Sequence, residues 1–553
     1  MKVIDYEKRK NKGLFSDFKK LKSIDVEEIQ NYIPIYTTFF NFKENSNINL
    51  NHSYYLSGIR DNDSEPTNLN DRMFAEKIFN VEVTNKGKSQ TAKSFLKLSP
   101  VFDISKFLTG KYDLKDETFY ILPNIEKDGH NSLYDNNNIS YVDSLFSFLS
   151  SQLLNNYEFI NALDYYGSFL SVIKNFPVDI SEDIEYFVDS DYFMKNRNKL
   201  FKIDMEMQEP LTILDDDVDL VFDDIETFDC NTLEKELEKE LEKELEKSFE
   251  NDSEIKESDI ELENSESEGS ESDSDESDES DEGTIEGLDE SEDSETIYST
   301  ENSLDNQLNV VFDKCLVQIT SLEHCTNTLD SLILKNIPDD ELLACLFQII
   351  MSLIVFQDSF SFTHNDLHTN NIMFIPTTEE HLFYCYKGQH YKVPTFGKIF
   401  KIIDFGRSIY KVGSNIICSN SFQPKGDAHT QYNTEPYYNA KKKRIDPNFS
   451  FDLCRLACSM WDNYFTISNV DKIIEKNKIV KIIDDWCRDD AGISVLYKPN
   501  GRERYPEFKL YKMIARTVHN HTPHAQLLRE EFQQFRVEPV KSINIDLIPK
   551  MYV

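Results

Sequence analysis

None of the nine cysteines forms a Cys-x-x-Cys pair. Cys454 and Cys458 sit four apart on a stretch with helical character, and no further ligands lie nearby to complete a zinc site. This excludes a zinc module and leaves buried free thiols in a reducing compartment as the default. The N-terminal residues, Met1-Lys2-Val3-Ile4-Asp5-Tyr6-Glu7-Lys8-Arg9-Lys10, contain no apolar core, so no secretory signal is expected. The longest apolar run, Leu342 to Phe356, is too short to span a bilayer and contains Gln348 and Ser352, so it reads as a buried helix. No basic stripe stands out, which argues against a nucleic-acid-binding surface. The one basic cluster, Lys441-Lys442-Lys443-Arg444, reads as a solvated loop.

What the chain has in excess is acid. Its net charge is −41 over 553 residues, a length sufficient for two or three domains. Residues 209–301 hold 40 acidic and 5 basic residues, and the other 460 carry a net charge of only −6. The acidity therefore belongs to one insertion, and the rest of the chain is nearly balanced. Within the insertion, Leu233 to Lys247 repeats Leu-Glu-Lys-Glu, which favours a solvated single helix. Ser265 to Asp281 is almost purely Ser, Glu and Asp, and is expected to stay disordered because it has too little apolar surface to offset ordering entropy. Such a segment is a spacer or an attractor of basic partners, and its serines stand beside acids as acceptors for acidophilic kinases do.

Two short motifs carry the chemistry. Thr363-His364-Asn365-Asp366-Leu367-His368-Thr369-Asn370-Asn371-Ile372-Met373 presents an acid and, five residues later, an amide. Ile402-Ile403-Asp404-Phe405-Gly406 presents a second acid. Both adjoin apolar runs of strand character. An acid to accept a hydroxyl's proton, with an amide and an acid offering oxygen ligands to magnesium, is the equipment of phosphoryl transfer. Upstream, Lys77 to Val83 alternates as a strand, Asn85 to Lys88 reads as a turn, and Ala92 to Leu98 returns as a strand bearing Lys97. Ser140 to Leu154 has helical spacing, Leu163 to Ile173 reads as a strand pair or strand end, and Cys315 to Ile319 reads as a strand. Thr328 to Leu334, Asp339 to Phe360 and Phe449 to Trp461 read as helices, and the segment on to Phe535 as mixed and mainly helical. The long span from Asn371 to Asp404 leaves room for a hairpin around Lys387-Gly388.

Through these phrases, with Phe95 to Pro100, Leu163 to Phe169 and Arg504-Tyr505-Pro506, the chain resembles the eukaryotic-type protein kinase superfamily. More closely, it resembles the serine/threonine kinases of giant DNA viruses, and the His after Asp366-Leu367 also resembles haspin-type kinases. The resemblance covers roughly residues 75–170 and 310–535. It implies an α+β, bilobal kinase-like fold with a small mixed lobe and a larger, mainly helical lobe. Residues 1–74 would be an N-terminal extension and the start of the small lobe, 75–208 the small lobe, and 209–307 the acidic insertion. Residues 308–325 would form the last small-lobe strand and hinge, and 326–553 the large lobe.

By the same resemblance, Lys97 pairs with ATP phosphates and Asp143 is its helix partner, with Lys93 as a rival lysine in the same strand. The hinge Leu322-Glu323-His324-Cys325 holds adenine, with Glu323 and Cys325 named as nucleotide-binding. Asp366 is the catalytic carboxylate that accepts the hydroxyl's proton, Asn371 and Asp404 bind Mg2+, His368 faces the γ-phosphate, and Asp452 anchors the catalytic loop. His364 reads as structural support for that loop. The implied cofactors are ATP and Mg2+. The implied partner is a protein substrate of basic character, with no nucleic acid or membrane, in the host cytoplasm or a virion. The chain departs from the family pattern in having no Gly-x-Gly-x-x-Gly before Lys97, where Gly58 and Gly87 stand isolated. Asn365 replaces the usual Arg that reads activation-loop phosphorylation, and His368 replaces a Lys. Thr434-Glu435-Pro436 is a weak substitute for Ala-Pro-Glu. Two rival readings stand beside this one: a small-molecule kinase, whose His-x-Asp-x-His-x-x-Asn pattern residues 364–371 also satisfy, and a catalytically dead acidic scaffold.

Overall fold

The alternation in Ile78–Asn85 buries Phe79, Val81 and Val83 on one face, as a strand's period of two requires. The computed structural model describes residues 4–45, 47–60, 78–181, 183–204, 308–464 and 477–552. Ile78–Asn85 turns at Lys86 and Gly87, with φ of 48° and 80°, the handedness that a two-residue hairpin favours. It returns as Lys88–Pro100, with Asn85 opposite Lys88 and Ile78 opposite Phe95. Lys88–Pro100 pairs with Asn309–Glu323, which pairs in turn with Tyr165–Asp179. Asp25–Gln30 and Tyr55–Arg60 close the two edges, and the short strand Lys202–Asp204 completes a seven-stranded sheet.

The strand expected to end near Ile173 runs on to Asp179, because Phe176 to Asp179 pair with Asn309 to Phe312. The chain between these two strands leaves from the Asp179–Asn309 end. Tyr165 and Leu322 lie at the other end, roughly 45 Å away at about 3.3 Å per residue. The acidic insertion at 209–307 lies outside the described residues, as does the connection between Tyr55–Arg60 and Ile78–Asn85.

One face of the sheet is sealed by the helix Lys12–Phe18, whose Phe15 and Phe18 meet Phe169 edge-on. Leu96 belongs to that cluster, so its neighbour Lys97 faces the opposite side. There the helix Ile139–Tyr157 packs, and its start is tied to the end of the Lys97 strand. Asn138 Nδ2 donates to the Val101 carbonyl at 2.7 Å, and Ser140 Oγ to the Pro100 carbonyl at 2.8 Å. The Asn138 side chain also caps the helix by accepting from Ser140 N.

The rest of the chain mixes helices with short strands. Asp339–Phe360 opens on Asp339, Asp340 and Glu341, which complement the helix dipole, and ends at Ser361 in the left-handed region. It has 22 residues, longer than the run Leu342 to Phe356 alone, because both polar flanks join it. By length and composition it could cross a membrane, but 94% of its most apolar window is buried inside the protein, as a core helix is. Phe451–Tyr464 and Lys478–Trp486 share its core, and Lys509–Thr517 packs against Phe451–Tyr464 in a separate cluster. Ile372–Pro376 and Lys398–Ile402 pair directly, setting Ile372 opposite Ile402. Between them lies the hairpin His381–Tyr386 and Gln389–Pro394, turning at Lys387 and Gly388. The segment expected to be mainly helical also forms short strands, Arg536–Val537 and Ile543–Asn544, that extend this hairpin into a four-stranded sheet. The described fold is α+β.

Candidate functional site

Because the helix start is pinned to the end of the Lys97 strand, Asp143 is held one turn inside the helix, facing that strand. Asp143 Oδ2 lies 2.8 Å from Lys97 Nζ, so a carboxylate one methylene shorter than Glu reaches the lysine. Asp404 Oδ1 approaches the same Nζ at 2.8 Å. The other Asp143 oxygen accepts from Phe405 N at 2.7 Å. One buried carboxylate thus joins the helix, the strand lysine and the Asp404-Phe405-Gly406 turn. Lys93 is exposed and takes no part.

The electrostatics follow the geometry. Desolvation works against the Lys97 ammonium, but the two carboxylates more than reverse it and hold Lys97 above the usual lysine range. Desolvation also opposes ionisation of Asp404, and Lys97 outweighs it, holding that carboxyl down at about 2. Burial pushes Asp143 upward against the pull of Lys97. Asp404 has φ of 62°, an uncommon value outside glycine. Gly406 lies so close to the helix start that an added Cβ would stand 3.0 Å from Ile139 Cγ1. Phe405 is fully buried against Phe146, which stacks on Phe362 at 4.2 Å between ring centroids.

The loop 363–371 is organised by one buried carboxylate and by neutral groups. Asp452, fully buried, accepts from His364 N and Asn365 N at 2.9 Å each. His364 Nε2 meets the Ile403 carbonyl at 3.0 Å, and Nδ1 accepts from Asp366 N at 3.3 Å, so the ring is a neutral Nε2–H tautomer joining the two motifs. Asn365, with φ of 65°, donates to the carbonyls of Arg407 and Thr363 and accepts from Tyr432 Oη at 2.8 Å. Asn371 Nδ2 donates to the Asp366 carbonyl at 2.9 Å and to His368 Nε2 at 3.0 Å. A carbonyl can only accept, so this amide orientation is forced, and Oδ1 is the atom left for a cation. His368 is therefore engaged with Asn371, and burial lowers its pKa, which keeps the ring an acceptor. It supplies no positive charge to the loop.

Three residues along the strand from Thr320, the partner of Lys97, Glu323 has few groups to offer a ligand. Its N–H donates to the Asp164 carbonyl at 3.0 Å, while its side chain accepts from Asp164 N at 2.8 Å and pairs with buried Lys401. Lys401 also donates to the Ala162 carbonyl at 2.8 Å. Among the described residues no backbone hydrogen bond engages His324 or Cys325. Burial pushes the Cys325 thiol up to about 12, so it is not a nucleophile. Further along, Arg444 forks onto Glu435, with Nη2 at 2.6 Å from Oε2, and also reaches Asp446, so this member of the basic cluster is neutralised.

Three side chains in this neighbourhood carry no recognisable sequence signal. Tyr511 Oη donates to Asp366 Oδ1 at 2.9 Å, and Arg455 Nε donates to Tyr511 Oη at 2.8 Å. Arg407, which follows Gly406 directly, lies 3.9 Å from Asp366 and 2.6 Å from Asp427. Only the nearness of Arg455 to Asp452 in sequence could have drawn notice.

As a cation site the arrangement suits magnesium. Asn371 and Asp404 present oxygen donors, and a hard cation that retains water and phosphate ligands needs only one or two from the protein. Among the described residues no cluster of three or more His, Cys, Asp or Glu could hold a metal by itself.

No known protein-family model matches the chain. Over 173 residues it is 30% identical to an Acanthamoeba polyphaga mimivirus protein named "Putative serine/threonine-protein kinase", covering 28% of this chain and 43% of that protein. Over 125 residues it is 32% identical to the serine/threonine-protein kinase haspin homolog of Arabidopsis thaliana, covering 21% of this chain and 20% of that protein. The chain thus spans less than half the length of either relative, and its relationship to them is protein-kinase-like.

Proposed function

We propose that this chain is a bilobal, ATP-dependent serine/threonine protein kinase. The observation that carries the reading is the convergence of Lys97, Asp143 and Asp404 at one point, with Asn371 held so that its Oδ1 is free. In this reading Lys97 binds the α- and β-phosphates, and Asn371 and Asp404 hold Mg2+, which supplies charge neutralisation. The unpaired backbone of His324 and Cys325 takes the adenine. The acceptor hydroxyl gives its proton to Asp366 as its oxygen forms the new bond to phosphorus and the bond to the departing ADP breaks. The catalysis is positioning and electrostatics.

Asn365 bonds a neutral tyrosine and backbone carbonyls where an arginine would await a phosphate, so activity does not depend on phosphorylation of the following segment. The eight described cysteines are all free, in keeping with a reducing interior such as the host cytoplasm. A second reading, a small-molecule kinase, is favoured by the His364-x-Asp366-x-His368-x-x-Asn371 spacing. An acceptor panel separates the two: basic and acidic proteins on one side, sugars, choline and aminoglycosides on the other, each with labelled ATP and Mg2+. Label entering protein supports the first reading, and label entering only a small molecule replaces it with the second.

A further inference from the structure

The catalytic loop has no cation of its own. His368 stands where the resemblance implies a lysine, and its Nε2 accepts from Asn371 Nδ2 at 3.0 Å. A positive charge instead enters from outside the motif. Arg455 lies three residues after Asp452 on the helix Phe451–Tyr464, so the helix whose carboxylate anchors the loop also delivers a guanidinium beside it. Its Nε donates to Tyr511 Oη at 2.8 Å, and its guanidinium carbon lies 5.1 Å from the centre of that ring.

Tyr511 Oη carries a single proton and receives the Arg455 N–H on a lone pair, so its own proton goes to Asp366 Oδ1 at 2.9 Å. Tyr511 is stacked on Phe508 at 5.4 Å between centroids and tilted against Phe451, which fixes its direction. Among the described residues no carboxylate lies within ion-pair distance of Arg455, and its terminal nitrogens form no hydrogen bond. The Arg455 side chain is half-buried and keeps some contact with solvent. A half-buried guanidinium with no acid partner, linked to Asp366 through Tyr511, is arranged for an anion that arrives with the substrate.

We infer that Arg455 binds the transferred phosphoryl group in place of the missing loop lysine. Tyr511 is a positioning residue that holds Asp366 Oδ1 and leaves Oδ2 to receive the acceptor proton. The inference rests on the kinase reading of the site and adds to it the source of the positive charge. No atom is transferred to Arg455 or Tyr511, and both end the cycle as they began it.

The test compares affinities for ATP and ADP, each with Mg2+, by calorimetry in wild type, Arg455→Met, Arg455→Lys and Tyr511→Phe, with transfer rates on the same samples. ADP lacks the group that Arg455 meets. Arg455→Met is expected to lose about 10-fold in preference for ATP over ADP and about 100-fold in turnover, with ADP affinity unchanged. Arg455→Lys should recover most of the ATP preference, which a merely structural role would not predict. Tyr511→Phe should lower kcat about 10-fold at unchanged KM for ATP. A wild-type ATP-to-ADP ratio in Arg455→Met, with the thermal unfolding of that variant intact, overturns the proposal and leaves the kinase reading standing. Failure of the wild type to bind either nucleotide overturns the kinase reading, and this inference with it.

Discussion

Around Lys97 the contacts are between charges, and around Asn371 they are between neutral groups. Lys97, Asp143 and Asp404 form a three-member ion cluster whose geometry is set by a pinned helix start. The loop from His364 to Asn371 is fixed mainly by a neutral imidazole, two amides and backbone carbonyls, with the buried Asp452 holding its start and Asp330 accepting from Thr369 Oγ1 at 2.8 Å. A cluster of charges can exchange one partner for an incoming ion of similar charge. A network of neutral bonds holds one conformation. The first region is therefore the part that answers to ligand, and the second the part that stays fixed.

Breaking the charged region should have the largest effect. Asp404→Ala is expected to abolish Mg2+-dependent transfer, a loss of at least roughly 1000-fold in turnover, and wild-type-like rates in that variant would refute the assignment. Asp143→Ala removes the partner of both Lys97 and Phe405 N from a buried site. It should destabilise the fold by about 3–5 kcal/mol in urea unfolding. Asp143→Glu sharpens the comparison. With the helix start tethered at Asn138 and Ser140 the longer side chain has no room, so it should cost about 1–3 kcal/mol rather than improve the pair. A neutral or stabilising result would mean that the helix is not pinned.

Smaller effects should come from the neutral region. His368 has a lowered pKa, so the unfolded chain takes up its proton at a higher pH than the folded one. Its contribution to stability is thus present above the ordinary histidine value of about 6.5 and is lost as pH falls through the folded value. Protonation also ends its role as acceptor for Asn371. Turnover should decline on the acid side of neutrality, and His368→Gln, which keeps a neutral side chain, should flatten that limb in a kcat profile from about pH 5 to 8. Tyr432→Phe removes one bond to Asn365 and should cost about 0.5–1.5 kcal/mol, measured by thermal or urea unfolding.

Local pattern made the two motifs, the Lys97 hairpin and the Lys387-Gly388 hairpin legible in the sequence, because alternation, turn chemistry and motif order are short-range properties. The edge strand Asp25–Gln30 was not legible, since it is defined by pairing with Tyr165–Asp179 more than a hundred residues later. The same holds for Lys401, whose partner Glu323 lies 78 residues away, and for Tyr511, which meets Asp366 across 145 residues. His368 shows a different limit. Its place in the motif suggested a phosphate contact, and only the fold shows its ring spent on Asn371. The count of acids located the insertion, while the strand register shows that the chain leaves the sheet at the end away from Glu323.

The most direct measurement is transfer of the γ-phosphate from labelled ATP to a basic acceptor protein in the presence of Mg2+, with wild type and Asp366→Asn run side by side. The account predicts incorporation by the wild type, none without Mg2+, and a near-complete loss in Asp366→Asn although that variant still binds ATP. Equal incorporation by the two proteins, or none by a wild type shown to bind ATP with Mg2+, would contradict it.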